Sequence, residues 1–209
     1  SLFEIAPQFT SELHTFLDEN NYNEYCFIDS DNTTQGVINT SHLHHSIAIN
    51  TSIYNESGAN TLNQLAFSIA HINEYLHELS SQNKISSLNV FHITCAVSGD
   101  FFMEIAKLRA LRKLTQFILN QYNCTAKIHI HAQTTLVNKS AIDIYNNLLR
   151  STTESMSACI GGADSIVVFP FDYQIKEDND FSSRMARNQQ LILKDESYLN
   201  KVSDMAAGS

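Results

Sequence analysis

Two histidines one residue apart, His129 and His131, lie in a segment rich in strand-forming residues, AKIHIHAQ at residues 126–133. Alternate residues of a strand point to the same face, so both imidazoles would lie together. His92 lies in the strand-like segment before it. Imidazoles on barrel strands bind metal in amidohydrolases, which makes a metal-dependent barrel hydrolase one hypothesis. No carboxylate is evident to complete such a site, and we expect no bound metal.

A second group of charged residues lies in the helix-like segment 101–121. Its cations are Lys107, Arg109, Arg112 and Lys113. Glu104 precedes Lys107 by three positions, which predicts an ion pair along the helix. We expect the cations to form a solvated face whose aliphatic stems cover the core. Contact with an acidic partner or with CoA phosphates is the alternative.

Two polar clusters are predicted to be loops. One contains Asp172, Glu177, Asp178 and Asp180. Paired carboxylates can act as acid and base, but solvated charges before a helix are the simpler interpretation, and Asp180 suits an N-cap. The other contains His42, His44 and His45.

Strand-like and helix-like segments alternate along the chain. The predicted strands cover residues 25–29, 46–54, 88–96, 126–133 and 164–170. The predicted helices cover residues 9–17, 60–79, 101–121, 142–159 and 181–193. This order predicts βα units with a parallel sheet, either an open doubly wound sheet or part of a (β/α)₈ barrel. No G-x-G-x-x-G follows a strand, which argues against a Rossmann nucleotide site.

Composition narrows the classes of partner. The chain has 209 residues, 43% of them hydrophobic, and 13 basic against 22 acidic residues give a net charge of −9. Such a charge disfavours nucleic acid as a partner. No apolar run approaches the ~18 residues of a membrane span. The 4 cysteines form no C-x-x-C motif, and no signal peptide is visible, so we expect reduced thiols and a cytoplasmic location.

Several longer segments resemble the methylmalonyl-CoA mutase family. They are residues 54–59 (YNESGA), 101–112 (FFMEIAKLRALR), 145–158 (YNNLLRSTTESMSA), 161–165 (GGADS), 181–193 (FSSRMARNQQLIL) and 196–209 (ESYLNKVSDMAAGS). The resemblance implies an α/β fold of the (β/α)₈ TIM type, present here as a partial barrel of about five strands. It also implies that residues 1–209 are a fragment of the barrel domain, without the early strands and the C-terminal cobalamin-binding-type domain.

The resemblance also marks positions where this chain departs from active mutases. Where the family has a Tyr-His pair that drives radical formation and bonds the substrate carbonyl, this chain has Ser52 and Ile53. The Asn and Glu that contact the adenosyl group correspond to Phe169 and Tyr173. These positions are predicted to be degenerate, with no catalytic or cofactor-binding role.

The CoA-contacting positions are altered as well. A family Arg and Ser correspond to Val90 and His92, and a further Arg corresponds to His129. His131 and Gln133 match the family's His and Gln, so His129, His131 and Gln133 are predicted to be a remnant of the substrate site. Each lost charge-assisted contact removes about 1.5–3 kcal/mol of binding.

These departures favour a structural role over catalysis. The resemblance implies a small, non-catalytic subunit that pairs with a catalytic large subunit, the holoenzyme interconverting methylmalonyl-CoA and succinyl-CoA. Adenosylcobalamin would then be bound by the holoenzyme and not by this chain. Two alternatives are a competent adenosylcobalamin-dependent mutase with unusual site residues and the metal-dependent barrel hydrolase.

Overall fold

Strands and helices alternate throughout the computed structural model, which describes residues 46–176 and 179–207. The strands are β1 (Ser46–Asn50), β2 (Val90–Val97), β3 (Lys127–Thr134) and β4 (Ser165–Val167). The helices are α1 (Ser52–Glu56), α2 (Thr61–Ser81), α3 (Phe101–Gln121), α4 (Asn146–Gly161) and α5 (Asp180–Leu191). A short 3₁₀ helix covers Ile85–Ser87, and a π-helical turn, Ile192–Glu196, continues α5. The predicted elements at residues 9–17 and 25–29 lie outside the described residues.

The four strands form one parallel sheet in the order β1-β2-β3-β4. Each strand pairs with the next one in the chain, which confirms the predicted βα units. Over the described residues the sheet is open, so it has the expected α/β architecture without a closed barrel. None of the helices in this part of the chain combines the length and apolarity needed to cross a membrane.

The hydrophobic core lies between the sheet and the helices. Alternate strand residues such as Ile49, Phe91 and Ile130 are fully buried there, together with Leu76 of α2 and Leu108 of α3. Helices α3 and α4 approach closely at Gly161, where an added Cβ would lie 2.7 Å from Leu108 Cδ1. A side chain at this position would push the two helices apart.

Side-chain hydrogen bonds explain two of the boundaries that differ from their predictions. The strand predicted over residues 46–54 ends at Asn50, because the Asn50 side-chain oxygen accepts hydrogen bonds from Ser52 N at 3.0 Å and Ser52 Oγ at 2.7 Å. This turn redirects the chain into α1. The helix predicted from residue 142 begins at Asn146. Asn147 explains the delay, since its side chain bonds both Ser140 N and Ser140 O and holds the preceding turn.

The acidic loop also differs from its prediction. Asp172 is only 3% exposed and accepts a hydrogen bond from Asn179 Nδ2 at 3.1 Å, so it is not a solvated charge. Asn179, and not Asp180, caps α5 by accepting a hydrogen bond from Ser182 N. Residues 177 and 178 lie outside the described residues. The predicted strand 164–170 is shorter, and only Ser165–Val167 pairs with β3.

The predicted Glu104–Lys107 ion pair is confirmed, with Lys107 Nζ 2.6 Å from Glu104 Oε2. The prediction of a solvated basic face is wrong for Lys107, which is 4% exposed. Its ammonium also donates to Gln64 Oε1 of α2 and to the Ala96 carbonyl of β2, both at 2.8 Å. Ser98 donates to Glu104 Oε1 at 2.7 Å. This cluster therefore ties α2, α3 and the carboxyl end of β2 together.

A second buried ion pair lies beside the first. Lys139, in the loop after β3, lies 2.7 Å from Glu154 Oε2 of α4, and Asn138 Nδ2 donates to Glu154 Oε1 at 2.7 Å. Burial raises the pKa of Glu154, against the opposing effect of Lys139, and the nearby Glu104 raises it further. The carboxyl end of β3 is thus fixed to α4 as that of β2 is fixed to α3.

We expect Lys107→Met to destabilise the protein by about 3–5 kcal/mol, because the Glu104 carboxylate would stay buried without its cation. Arg109→Met is the matched control on the same helix, since Arg109 pairs with Asp204 at the surface. The measurement is the free energy of unfolding in urea. The double variant Glu104→Gln/Lys107→Met should recover part of the loss. Equal stability of the Lys107 and Arg109 variants would contradict the role given to this pair.

Candidate functional site

The candidate site lies on the face of the sheet opposite the helices. Strand register places its side chains in rows across the sheet. One row contains Ala48, His92 and His129, the next contains Asn50, Thr94, His131 and Ser165, and the third contains Ala96, Gln133 and Val167. His129 and His131, which were predicted from their spacing to share a face, therefore do so. His92 lies beside His129 on the neighbouring strand.

Three imidazoles form the centre of this face. The rings of His92 and His129 are 5.1 Å apart between centroids. Ser165 Oγ lies 2.9 Å from His129 Nε2 and 2.7 Å from His131 Nδ1, so one hydroxyl bridges two rings. A serine hydroxyl carries a single proton. The hydroxyl can therefore donate to only one of these two nitrogens, so at least one ring must donate to Ser165 Oγ.

Burial and repulsion from neighbouring imidazoles keep His92 and His131 uncharged near pH 7. Burial lowers the pKa of His92 from 6.5 to about 3, with additional lowering by His129 and His131 and an opposing effect of Asp164. Burial, together with the neighbouring His129, lowers the pKa of His131 to about 4. His92 and His131 are therefore neutral near pH 7, and neither adds a positive charge to this face of the sheet.

The metal hypothesis gains nothing from this arrangement. Within residues 46–176 and 179–207, no group of three His, Cys, Asp or Glu side chains is placed to hold a metal ion. His129 and His131 are instead directed at the Ser165 hydroxyl. One nitrogen of each ring is thus engaged in a hydrogen-bonded bridge, and the absence of a bound metal stays a prediction.

Ser52 and Ile53 follow β1, at the start of α1. Ser52 is 1% exposed, and its hydroxyl is used to bond Asn50 Oδ1 at 2.7 Å. Ile53 is half-buried and has no polar side-chain atom. Neither residue presents a group that could bond a substrate carbonyl, as the Tyr-His pair of active mutases is expected to do.

Phe169 and Tyr173 follow β4, at the other edge of the described sheet. Their rings contact each other with centroids 5.1 Å apart, and Phe169 N donates to Thr134 Oγ1 at 3.0 Å. Two ring faces and one phenol hydroxyl replace the amide and carboxylate that the family resemblance implies for the adenosyl group. These two residues therefore do not fit the polar contacts of adenosylcobalamin.

Sequence reasoning missed Ser165 as a member of the site. Its only signal was its position, as the second residue of the strand predicted over residues 164–170, which would align with the histidine-bearing strand. The bridge depends on the register in which His131 pairs with Ser165, which is a tertiary property. Gln133 lies in its predicted row but between Ala96 and Val167, so its in-register neighbours are apolar.

We expect stability to fall as the pH drops from 7 to 5. Both lowered pKa values, about 3 for His92 and about 4 for His131, lie below the 6.5 of the unfolded chain. The unfolded state therefore binds protons that the native state does not. Stability is full above pH ~6.5 and is lost towards pH ~4, by about 1–2 kcal/mol per histidine at pH 5.

Urea unfolding at pH 7, 6 and 5 measures this loss. The variant His92→Asn/His131→Asn should show a shallower dependence on pH than the wild-type chain, because it lacks both buried imidazoles. His77→Asn, at an exposed position of α2, is the control and should keep the wild-type slope. A double variant as pH-dependent as the wild type would contradict the electrostatic description of the cluster.

Comparison with known proteins finds the same family in a family model and in individual relatives. A model of the family described as "Methylmalonyl-CoA mutase" matches residues 31–209. The "Methylmalonyl-CoA mutase small subunit" of Porphyromonas gingivalis is 44% identical over 163 residues, covering 74% of this chain and 26% of that protein. A "Methylmalonyl-CoA mutase" of Rhizobium meliloti is 37% identical, covering 79% of this chain and 24% of that protein.

The "Methylmalonyl-CoA mutase small subunit" of Streptomyces virginiae is 35% identical and covers 75% of this chain and 26% of its own length. This chain thus spans about a quarter of the length of the curated relatives it matches. The family match extends over most of the chain and includes every strand of the described sheet. The chain belongs to the methylmalonyl-CoA mutase family.

Proposed function

We propose that this chain is part of the small subunit of a methylmalonyl-CoA mutase, a structural subunit that pairs with a catalytic large subunit. The observation that carries the proposal is the state of Ser52 and Ile53. The Ser52 hydroxyl is buried against Asn50, and Ile53 has no polar atom to offer. The relative from Porphyromonas gingivalis, named a small subunit, is 44% identical to this chain, which supports the same assignment.

The remaining site positions support a non-catalytic role. His92 and His131 are buried and have lowered pKa values, so neither supplies a positive charge near pH 7 to compensate for the family's Arg residues, whose positions hold Val90 and His129. Phe169 and Tyr173 pack on each other. His129, His131 and Gln133 keep the places of substrate contacts, and we propose that they are a remnant that no longer holds substrate tightly.

The proposal extends to the architecture and setting of the subunit. The parallel order of β1 to β4 supports a partial (β/α)₈ barrel, and we propose that the complete subunit closes this barrel. Adenosylcobalamin would be held by the holoenzyme, at residues that this chain does not provide. The holoenzyme would interconvert methylmalonyl-CoA and succinyl-CoA, and we propose that it does so in the cytoplasm.

Neither alternative is favoured by a specific observation. A competent mutase would need a polar group at position 53 and a free one at position 52. A metal-dependent hydrolase would need a third and fourth ligand beside the His129–Ser165–His131 bridge, and none is placed there among the described residues.

We expect the full-length subunit alone to show no conversion of methylmalonyl-CoA to succinyl-CoA when adenosylcobalamin is added, because the residues needed for radical formation and substrate bonding are absent. A coupled assay for succinyl-CoA measures this. The purified pair of small and large subunits is the positive control and should turn over under the same conditions. Turnover by the small subunit alone that disappears when the cofactor is omitted would overturn the proposal.

A further inference from the structure

Helix α3 exposes several large apolar side chains on its outward face. Its exposed residues include Met103, Leu114 and Phe117, which are 48%, 40% and 62% exposed, with Phe102 at the margin 79% exposed. Helical spacing places Met103, Ala106, Ala110, Leu114 and Phe117 on one stripe. The exposed face of α5 is mixed, with Ser183, Arg184 and Arg187 beside Phe181 at 48% and Leu191 at 46% exposure. We call the α3 residues 102, 103, 106, 110, 114 and 117 the apolar stripe.

The size of the apolar stripe is that of an interface centre. Its four large side chains expose on the order of 400 Å² of apolar area, taking ~150–250 Å² for each complete aromatic side chain. A standard protein interface buries about 800 Å² on each partner, with apolar, aromatic and methionine side chains at its centre. The stripe could therefore provide the core of one such interface, with polar neighbours as the rim.

The shape of the apolar stripe suits a helix. Ala106 and Ala110 form a low centre, with Met103 at one end and Leu114 and Phe117 at the other. Small side chains at a helix crossing permit interaxial distances near the lower end of the ~8–10 Å range. A partner helix could place large apolar residues against Ala106 and Ala110, between these larger side chains.

Charge distinguishes the possible partners. The charged residues of α3 that reach the surface, Arg109, Arg112 and Lys113, are all cations, because Glu104 is buried against Lys107. Arg109 and Arg112 are paired with Asp204 and Asp164. Lys113 is exposed at the edge of the stripe. A second copy pairing through the same face would bring only cations of α3 to the rim, which disfavours a homodimer.

We infer that the apolar stripe of α3 is a docking surface for the catalytic large subunit, which contributes an apolar helix with Asp or Glu beside Lys113. This inference rests on the proposed function, because it supplies the surface through which the two subunits pair. The apolar area gives the affinity of the contact, and the cation at the rim favours an acidic partner over a second copy.

The test is the dissociation constant between the full-length small subunit and its large subunit, measured by isothermal titration. Leu114→Gln/Phe117→Gln removes apolar contacts and should raise the Kd by roughly tenfold or more. Leu191→Gln/Ile192→Gln is the matched control at the junction of α5 and the π-helical turn, at residues that are 46% and 47% exposed, and should leave the Kd within about twofold. Thermal melts of each variant establish that it is folded.

Lys113→Glu provides an independent variant, since it changes one exposed side chain and leaves the apolar stripe intact. It should weaken binding several-fold, and more strongly at low salt. If the wild-type pair binds and these variants bind equally well, the docking inference is wrong and the proposed function stands. Failure of the wild-type pair to bind would instead remove the proposed function. Self-association of the small subunit that the stripe variants abolish would identify a second copy as the occupant and overturn the inference.

Discussion

The ion pair between Glu104 and Lys107 is the interaction on which the other features depend. Lys107 is a buried cation that lies 2.6 Å from Glu104 Oε2 and donates hydrogen bonds to Gln64 of α2 and to the Ala96 carbonyl of β2. Two helices and the end of a central strand are thereby fixed relative to one another. The adjacent Lys139–Glu154 pair does the same for β3 and α4. Together they hold the carboxyl ends of the two strands that carry the histidine cluster.

This chain keeps the strands and helices of the family but lacks most of the polar residues that the resemblance implies for the substrate site. The sheet still places side chains from neighbouring strands in rows, as a barrel enzyme requires. The residues in these rows differ from those that the resemblance implies: His129 lies at the position of a family Arg, and Ser165 bridges it to His131. An imidazole whose pKa is lowered by burial cannot supply charge near pH 7. A structural subunit needs the ion pairs that hold the helices to the strands, and it does not need the substrate contacts.

Periodicity predicted the regular elements well where one signal dominated. Helix α3 begins and ends where it was predicted, at Phe101 and Gln121, and its Glu104–Lys107 pair follows from helical spacing. The burial of that pair was not predictable in this way, because α2 and α4 cover the sides of α3 and periodicity along one helix does not report its neighbours. Likewise the Asn50 turn ended β1 early by a side-chain bond that competes with strand pairing. The Ser165 bridge required the register between β3 and β4.

We propose that the family scaffold persists here without a working substrate site. Isothermal titration of CoA into the full-length subunit tests it most directly, since CoA carries the phosphates and the pantetheine arm that the lost residues would have bound. The His131→Ala variant distinguishes binding at the cluster from binding elsewhere. We expect no saturable heat up to roughly millimolar CoA, because the loss of several contacts of ~1.5–3 kcal/mol each would raise the dissociation constant to that range or beyond. A micromolar dissociation constant that weakens on His131→Ala would contradict it.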